Sequence, residues 1–244
     1  MMEKTLYKIE LYRFLKSLWL FLLLSAASLI MMILINTDSS SFETTQSTVG
    51  NLQSVFKIMG IFFCIAAAIG ISVYTGREYK NKTIYHEIMK GYSLVKIAVS
   101  KAIGCGLIFA FILWCAVFTF LAVNKGYLTA FSPARFILLY VYMFHICSCT
   151  LMYVMLLRNG AVGGCLAFCR FVFFEICIAF FALVLPDKIL IWVKGFLTFT
   201  QWSYLTTPDV SLPLPVYIGV ILSTIAELVI LSLLLSFNGK RIDY

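Results

Sequence analysis

Four ionisable side chains stand inside long apolar runs: His145, Arg170, Glu175 and Glu227. In hydrocarbon such groups are costly, and they mark ligand paths, proton relays or paired charges. Counted from the nearest ends of their runs, Arg170 and Glu227 lie at matching depth, roughly 14–15 Å at 1.5 Å of rise per residue. That match predicts an ion pair. The alternative is that Arg170 snorkels to a surface while Glu227 is protonated. Glu175 is turned about 140° from Arg170 on one helix, which disfavours a bond between those two. Glu175 is expected instead to face a cavity, together with His145, where it would meet a cationic part of a ligand.

The same four residues could supply acid/base groups to an intramembrane enzyme, yet no catalytic signature accompanies them. The chain has no G-x-x-x-x-G-K-[ST] phosphate loop, no H-E-x-x-H and no nucleophile elbow. It therefore cannot bind and split ATP in the P-loop manner, and no catalytic residues are assigned. His145 with Cys149, and Cys165 with Cys169, have the i, i+4 spacing of soft metal ligands on one helix face. The eight cysteines all fall in apolar runs. They are read as small packing residues, with neither metal nor disulfides expected.

The elements that must position these groups follow from composition. With 62% hydrophobic and 12% charged residues and a mean hydropathy of +0.97, the chain cannot coat a soluble globule with polar surface. Continuous apolar runs of ~20 residues are spanning helices, because lipid offers the backbone no hydrogen-bond partners. The expected fold class is an all-α polytopic membrane protein, one transmembrane domain over residues 1–244. Its six spans are Ser17–Asn36, Val55–Thr75, Ile97–Val123, Pro133–Leu157, Ala161–Leu185 and Pro213–Phe237. An even number places both termini on one side. That side holds Lys4, Lys8, Arg13, Lys16, Arg77, Lys80, Lys82, Lys90, Lys96, Lys101, Arg158, Lys240 and Arg241. The other holds Lys57, Lys125, Arg135, Lys188 and Lys194. Both termini are then expected in the cytoplasm. The formal charge of +8 reports topology and contact with anionic lipid, not nucleic acid. No cleavable signal is expected, because the first run follows a charged segment and is long enough to span.

Between the spans, residues 1–16 carry Tyr7, Leu11, Phe14 and Leu15 on one helical arc, which suits an interfacial helix. The outer segment NTDSSSFETTQSTVGN reads as a Ser/Thr-rich loop. Residues 186–212 are aromatic but broken by Gly195 and Pro208, and predict one or two short helices dipping into the outer interface. Trp192, Trp202 and Tyr204 would anchor there. Gly160 and Gly164 form a small-xxx-small pair that suits close helix approach. Residues 76–96 hold the most polar passage, GREYKNKTIYHEIMKGYSLVK. Lys82–Lys90 predicts a short helix with Ile84 and Ile88 on one face, stopped at Gly91, and Ser93 caps the helix that follows. Ile84, Tyr85, Ile88 and Met89 are expected to meet a soluble partner, being apolar in a charged segment.

This passage resembles the first cytoplasmic loop of type-2 ATP-binding-cassette (ABC) transporter permeases, in the Firmicute branch linked to peptide export and lantibiotic self-protection. Glu78, Lys82, Thr83, Ile84, Gly91, Ser93, Ser100 and Lys101 match, while Leu94 stands where that family has Arg. The resemblance implies a bacterial plasma-membrane permease that dimerises with a second copy or a paralogue, its first and fifth spans near the seam. It would sit on a separate ATPase subunit carrying ATP and Mg, the loop acting as coupling helix. The cargo would be a hydrophobic or amphipathic peptide, a bacteriocin for example, or alternatively a lipid or drug-like molecule. A non-transporting scaffold or sensor is the reading from another class.

Overall fold

The computed structural model describes residues 45–123, 131–181, 186–207 and 212–239. The run Ser17–Asn36 and the expected interfacial helix at 1–16 lie outside them. The described chain forms α1 (Thr45–Lys80), α2 (Thr83–Met89), α3 (Leu94–Val123), α4 (Pro133–Leu157), α5 (Gly160–Phe181), α6 (Asp187–Gly195), α7 (Thr198–Thr206) and α8 (Leu214–Gly239). Five of these contain stretches long and apolar enough to cross a membrane: Met59–Lys80, Leu94–Thr119, Pro133–Leu157, Gly160–Ile178 and Leu214–Phe237. The protein is thus a membrane protein that is all-helical among the described residues, and the remaining expected span, Ser17–Asn36, lies outside them. All eight cysteines are free thiols.

One boundary moves substantially. Residues 45–51, read as loop, belong to α1, whose 36 residues run roughly 54 Å and so extend beyond the hydrocarbon. Ser and Thr are only modestly unfavourable in a helix, and Gly50 alone is too weak a break to end one.

α4 is the axis of the bundle and packs against α1, α3, α5, α7 and α8. It can do so because its Leu, Met, Cys and Ser side chains are buried along nearly the whole length. Ser148 donates to the Ala102 carbonyl of α3 at 3.1 Å, and a Cβ on Gly106 would collide with that hydroxyl. At the C-terminus of α4, Arg158 adopts a left-handed conformation and the Asn159 side chain accepts from Val162 N–H at 3.3 Å, which starts α5.

Gly160 and Gly164 do serve a close helix approach, but within one chain. A Cβ on Gly160 would lie 2.9 Å from the Gly76 Cα of α1, and one on Gly164 would lie 2.9 Å from the Ala68 carbonyl oxygen and closer still to Ser72. α1 therefore occupies the glycine face of α5, and that face is not open to a second protein copy. Between α5 and α8, the described residues include the two short helices α6 and α7. Trp202 of α7 is not an interfacial anchor: it is buried against Phe63 of α1 and Tyr142 of α4, with ring centroids 5.7 and 5.6 Å away. Gly60 makes the room, since a Cβ there would meet the Trp202 ring at 2.5 Å. Trp192 is exposed and Tyr204 half-buried.

Replacing Gly164 with Leu is expected to lower stability by about 1–3 kcal/mol through overpacking, read as a fall in the thermal midpoint of the detergent-purified chain. Val162→Leu, on the exposed face of the same helix, should leave that midpoint unchanged. Equal effects of the two would contradict the α1–α5 seam.

Candidate functional site

At one end of the bundle α1, α2 and α3 form a knuckle. Lys82 turns the chain with a left-handed conformation, and the Thr83 hydroxyl donates back to the Glu78 carbonyl at 3.0 Å. The far end of α2 closes through two carbonyls: Gly91 N–H donates to Ile88 at 2.8 Å and Tyr92 N–H to Glu87 at 3.3 Å. This Schellman closure requires the positive φ of +88° that Gly91 supplies. Lys96 N–H then donates to the Ser93 hydroxyl at 3.3 Å, the expected cap of α3. Behind the knuckle, Lys101 of α3 meets Glu78 of α1 at 2.7 Å, both buried.

These bonds redistribute the residues expected to touch a partner. Ile84 is wholly buried in the chain's own core, and Ile88 is half-buried against it. Glu78 and Thr83 are committed to internal bonds. The outward face consists of Tyr85 and Met89, 41% and 72% exposed, flanked by exposed Lys82, His86 and Lys90. A seven-residue helix with one buried face cannot turn all four apolar side chains outward.

Halfway along the bundle a second cluster joins α4, α5 and α8. The Glu227 Oε2 lies 2.5 Å from Arg170 Nη2 and 2.8 Å from His145 Nε2, and Tyr153 donates to Oε1 at 3.2 Å. Arg170 and Glu227 are therefore brought together, and His145 joins that pair rather than Glu175. His145 and Glu227 are buried, whereas the Arg170 side chain keeps 20% of its surface. Its guanidinium lies 5.0 Å from the Phe171 ring and 5.4 Å from that of Phe174.

Glu175 does not face a cavity with His145. Its Oε1 accepts from the N–H groups of Phe199 and Thr200 at 2.6 and 3.0 Å, and Oε2 from the Thr200 hydroxyl at 3.1 Å. It thus answers the free N–H groups and positive dipole end of α7. The other end of α7 is held by Arg135 of α4, buried, which donates to the Tyr204 and Thr207 carbonyls. Arg135 was not singled out by sequence. The one available signal was a charge three residues into a long apolar run.

Between α5 and α8, which both pack on α4, lies a cleft of about 530 Å³. Tyr153, Arg170 and Glu227 line its floor, Thr198 joins them from α7, and the walls are apolar. Cys149 also approaches: the ligand atoms of His145, Cys149 and Glu227 lie within 4.8 Å of one another. Arg170 occupies the carboxylate of that trio, and Cys165 with Cys169 lie exposed on α5, away from it. No protein-family model matches the chain, and no curated protein does.

Exchanging the two charges tests the cluster. Arg170→Glu and Glu227→Arg should each cost about 3–5 kcal/mol in unfolding measurements, because each leaves like charges buried together. The double exchange should recover only part of the loss, since His145 and Tyr153 then face a guanidinium in place of their acceptor. Strictly additive losses would remove the support for coupling.

Proposed function

We propose that this chain is the permease of an ATP-driven exporter, acting as a dimer in a bacterial plasma membrane and moving a hydrophobic or amphipathic peptide. The observation that carries the reading is the construction of the knuckle. A part that passes force from a soluble motor must be stiff behind and adhesive in front. Behind, α2 is bonded to α1 through Thr83, its far end is closed at Gly91, α3 starts on the Ser93 cap, and the buried Glu78–Lys101 pair ties α1 to α3. In front, Tyr85 and Met89 offer an apolar patch within a basic rim. The ATPase would be a separate subunit holding ATP and Mg. Its closure would displace the knuckle and shift the populations of bundle conformations.

Orientation is supported by charge. The knuckle end carries Arg77, Lys80, Lys82, Lys90, Lys96, Lys101 and Arg158 among the described residues, against Lys57, Arg135, Lys188 and Lys194 towards the other end. That bias favours a cytoplasmic knuckle. In a dimer the seam would use the outward face of α5, where Val162, Leu166, Phe173 and Phe180 stand exposed, because α1 fills the glycine face. A scaffold or sensor could share the knuckle. The cleft, with its charged floor inside the spanning region, favours handling of cargo.

Tyr85→Glu with Met89→Glu, expressed with the P-loop ATPase encoded nearest its own gene, should cut co-purified ATPase at least tenfold while leaving the thermal midpoint in place. Ile84→Asp should instead unfold the chain by burying an unpaired charge. Survival of both co-purification and ATPase stimulation in the double variant would refute the coupling role.

A further inference from the structure

We propose that the cleft between α5 and α8 binds a single-chain amphiphile bearing one anionic group, seated on Arg170, and that binding moves one proton onto Glu227. For what the binding serves, the proposal rests on the permease reading; the binding itself does not. The walls, among them Phe174, Ile178, Val193, Ile230 and Leu234, are apolar and suit an alkyl chain. A cleft of this size falls within the 300–1,000 Å³ typical of small-molecule sites. Of the two charges on its floor, Arg170 keeps more exposure, so a ligand's head meets a cation first. A guanidinium receives a carboxylate through paired N–H donors.

Glu227 can release Arg170 because it is held three times over. When the guanidinium turns to the ligand, His145 Nε2 and Tyr153 remain on the carboxylate. The charge balance then decides the proton. Before binding, Arg170 and Glu227 cancel; an added anion would leave one negative charge unanswered in hydrocarbon, which is costly. One proton from water restores neutrality. It goes to Glu227 Oε1, which then donates to the Tyr153 oxygen while the Tyr153 hydroxyl proton turns into the cleft that Tyr153 lines. His145 Nδ1 has no hydrogen-bond partner among the described residues, so a second ring proton there would be buried unpaired. The groups facing Glu227 are His145, Cys149 and Tyr153 from α4 and Arg170 from α5. α7 brings only the Thr198 hydroxyl, α6 no charge to the cleft, and α3 presents Val99 and Ala102 to α8.

The test is calorimetric titration of the full chain in phosphatidylcholine nanodiscs with decanesulfonate, whose head stays ionised throughout, against decyltrimethylammonium and decanol, with empty nanodiscs subtracted. Decanesulfonate should bind one site at least tenfold more tightly than either competitor. Its affinity should fall tenfold per pH unit where free Glu227 is ionised, and comparing buffers of different ionisation enthalpy should report one proton taken up. Glu227→Gln should bind without pH slope or proton uptake, and Arg170→Gln at least tenfold more weakly, with partial rescue by Arg170→Lys. Equal binding of the cation or the alcohol, undiminished binding by a folded Arg170→Gln, or a wild-type slope in Glu227→Gln would overturn the proposal. If Arg170→Gln does not fold, the Glu227→Gln slope decides. Binding without stimulation of the ATPase would sink the permease reading alone; stimulation without binding would sink this one.

Discussion

A charge in hydrocarbon must be answered by another group of the same chain, and this protein is arranged around four such answers. Glu78 meets Lys101, Glu227 meets Arg170 and His145, Glu175 meets the N-terminus of α7, and Arg135 its C-terminus. Each bond joins elements distant in sequence. Together they tie α1 to α3, α8 to both α4 and α5, and α7 to α5 and α4. Apolar packing alone would not impose this, because lipid tails solvate Leu and Phe as well as a neighbouring helix does. The polar bonds therefore select the arrangement, and the small residues Gly60, Gly106, Gly160 and Gly164 let the helices come near enough to make them.

The two regions of interest use this constraint differently. At the knuckle, polar bonds are spent on rigidity: Thr83 ties α2 back to α1, Gly91 closes its far end and Ser93 caps α3, and what is left outside is a patch of two apolar side chains in a basic rim. In the cleft, one carboxylate has three partners, more than it needs to remain buried. Redundancy of that kind lets one partner leave without stranding the others.

Much of this was legible in the amino-acid order. Runs of continuous apolar residues located the five described spans, with Pro133–Leu157 matching to the residue. Matching depth paired Arg170 with Glu227, and the helix stop at Gly91 and the cap at Ser93 followed from local conformational preference. What failed was whatever depended on direction around a helix or on partners far away. Ile84 and Tyr85 are neighbours in sequence, and only three-dimensional packing decides that one is core and the other surface. Glu175 was assigned to a cavity because its partners are backbone N–H groups, which leave no trace in composition. Trp202 was read as an interfacial anchor because its pocket depends on the missing side chain of Gly60, far along the chain. The Gly160 and Gly164 motif signals close approach without saying which helix approaches.

The double anchoring of α7 also bears on the order in which the chain is made. Synthesis proceeds from the N-terminus, so Arg135, Arg170 and Glu175 leave the ribosome before any residue that answers them. Arg135 and Glu175 wait for residues 198–207, and Arg170 waits for Glu227. Until then the spanning helix α5 carries Arg170 and Glu175 without these partners, which is costly in lipid. The last described span thus completes those before it, because Arg170 meets its carboxylate only when α8 supplies Glu227.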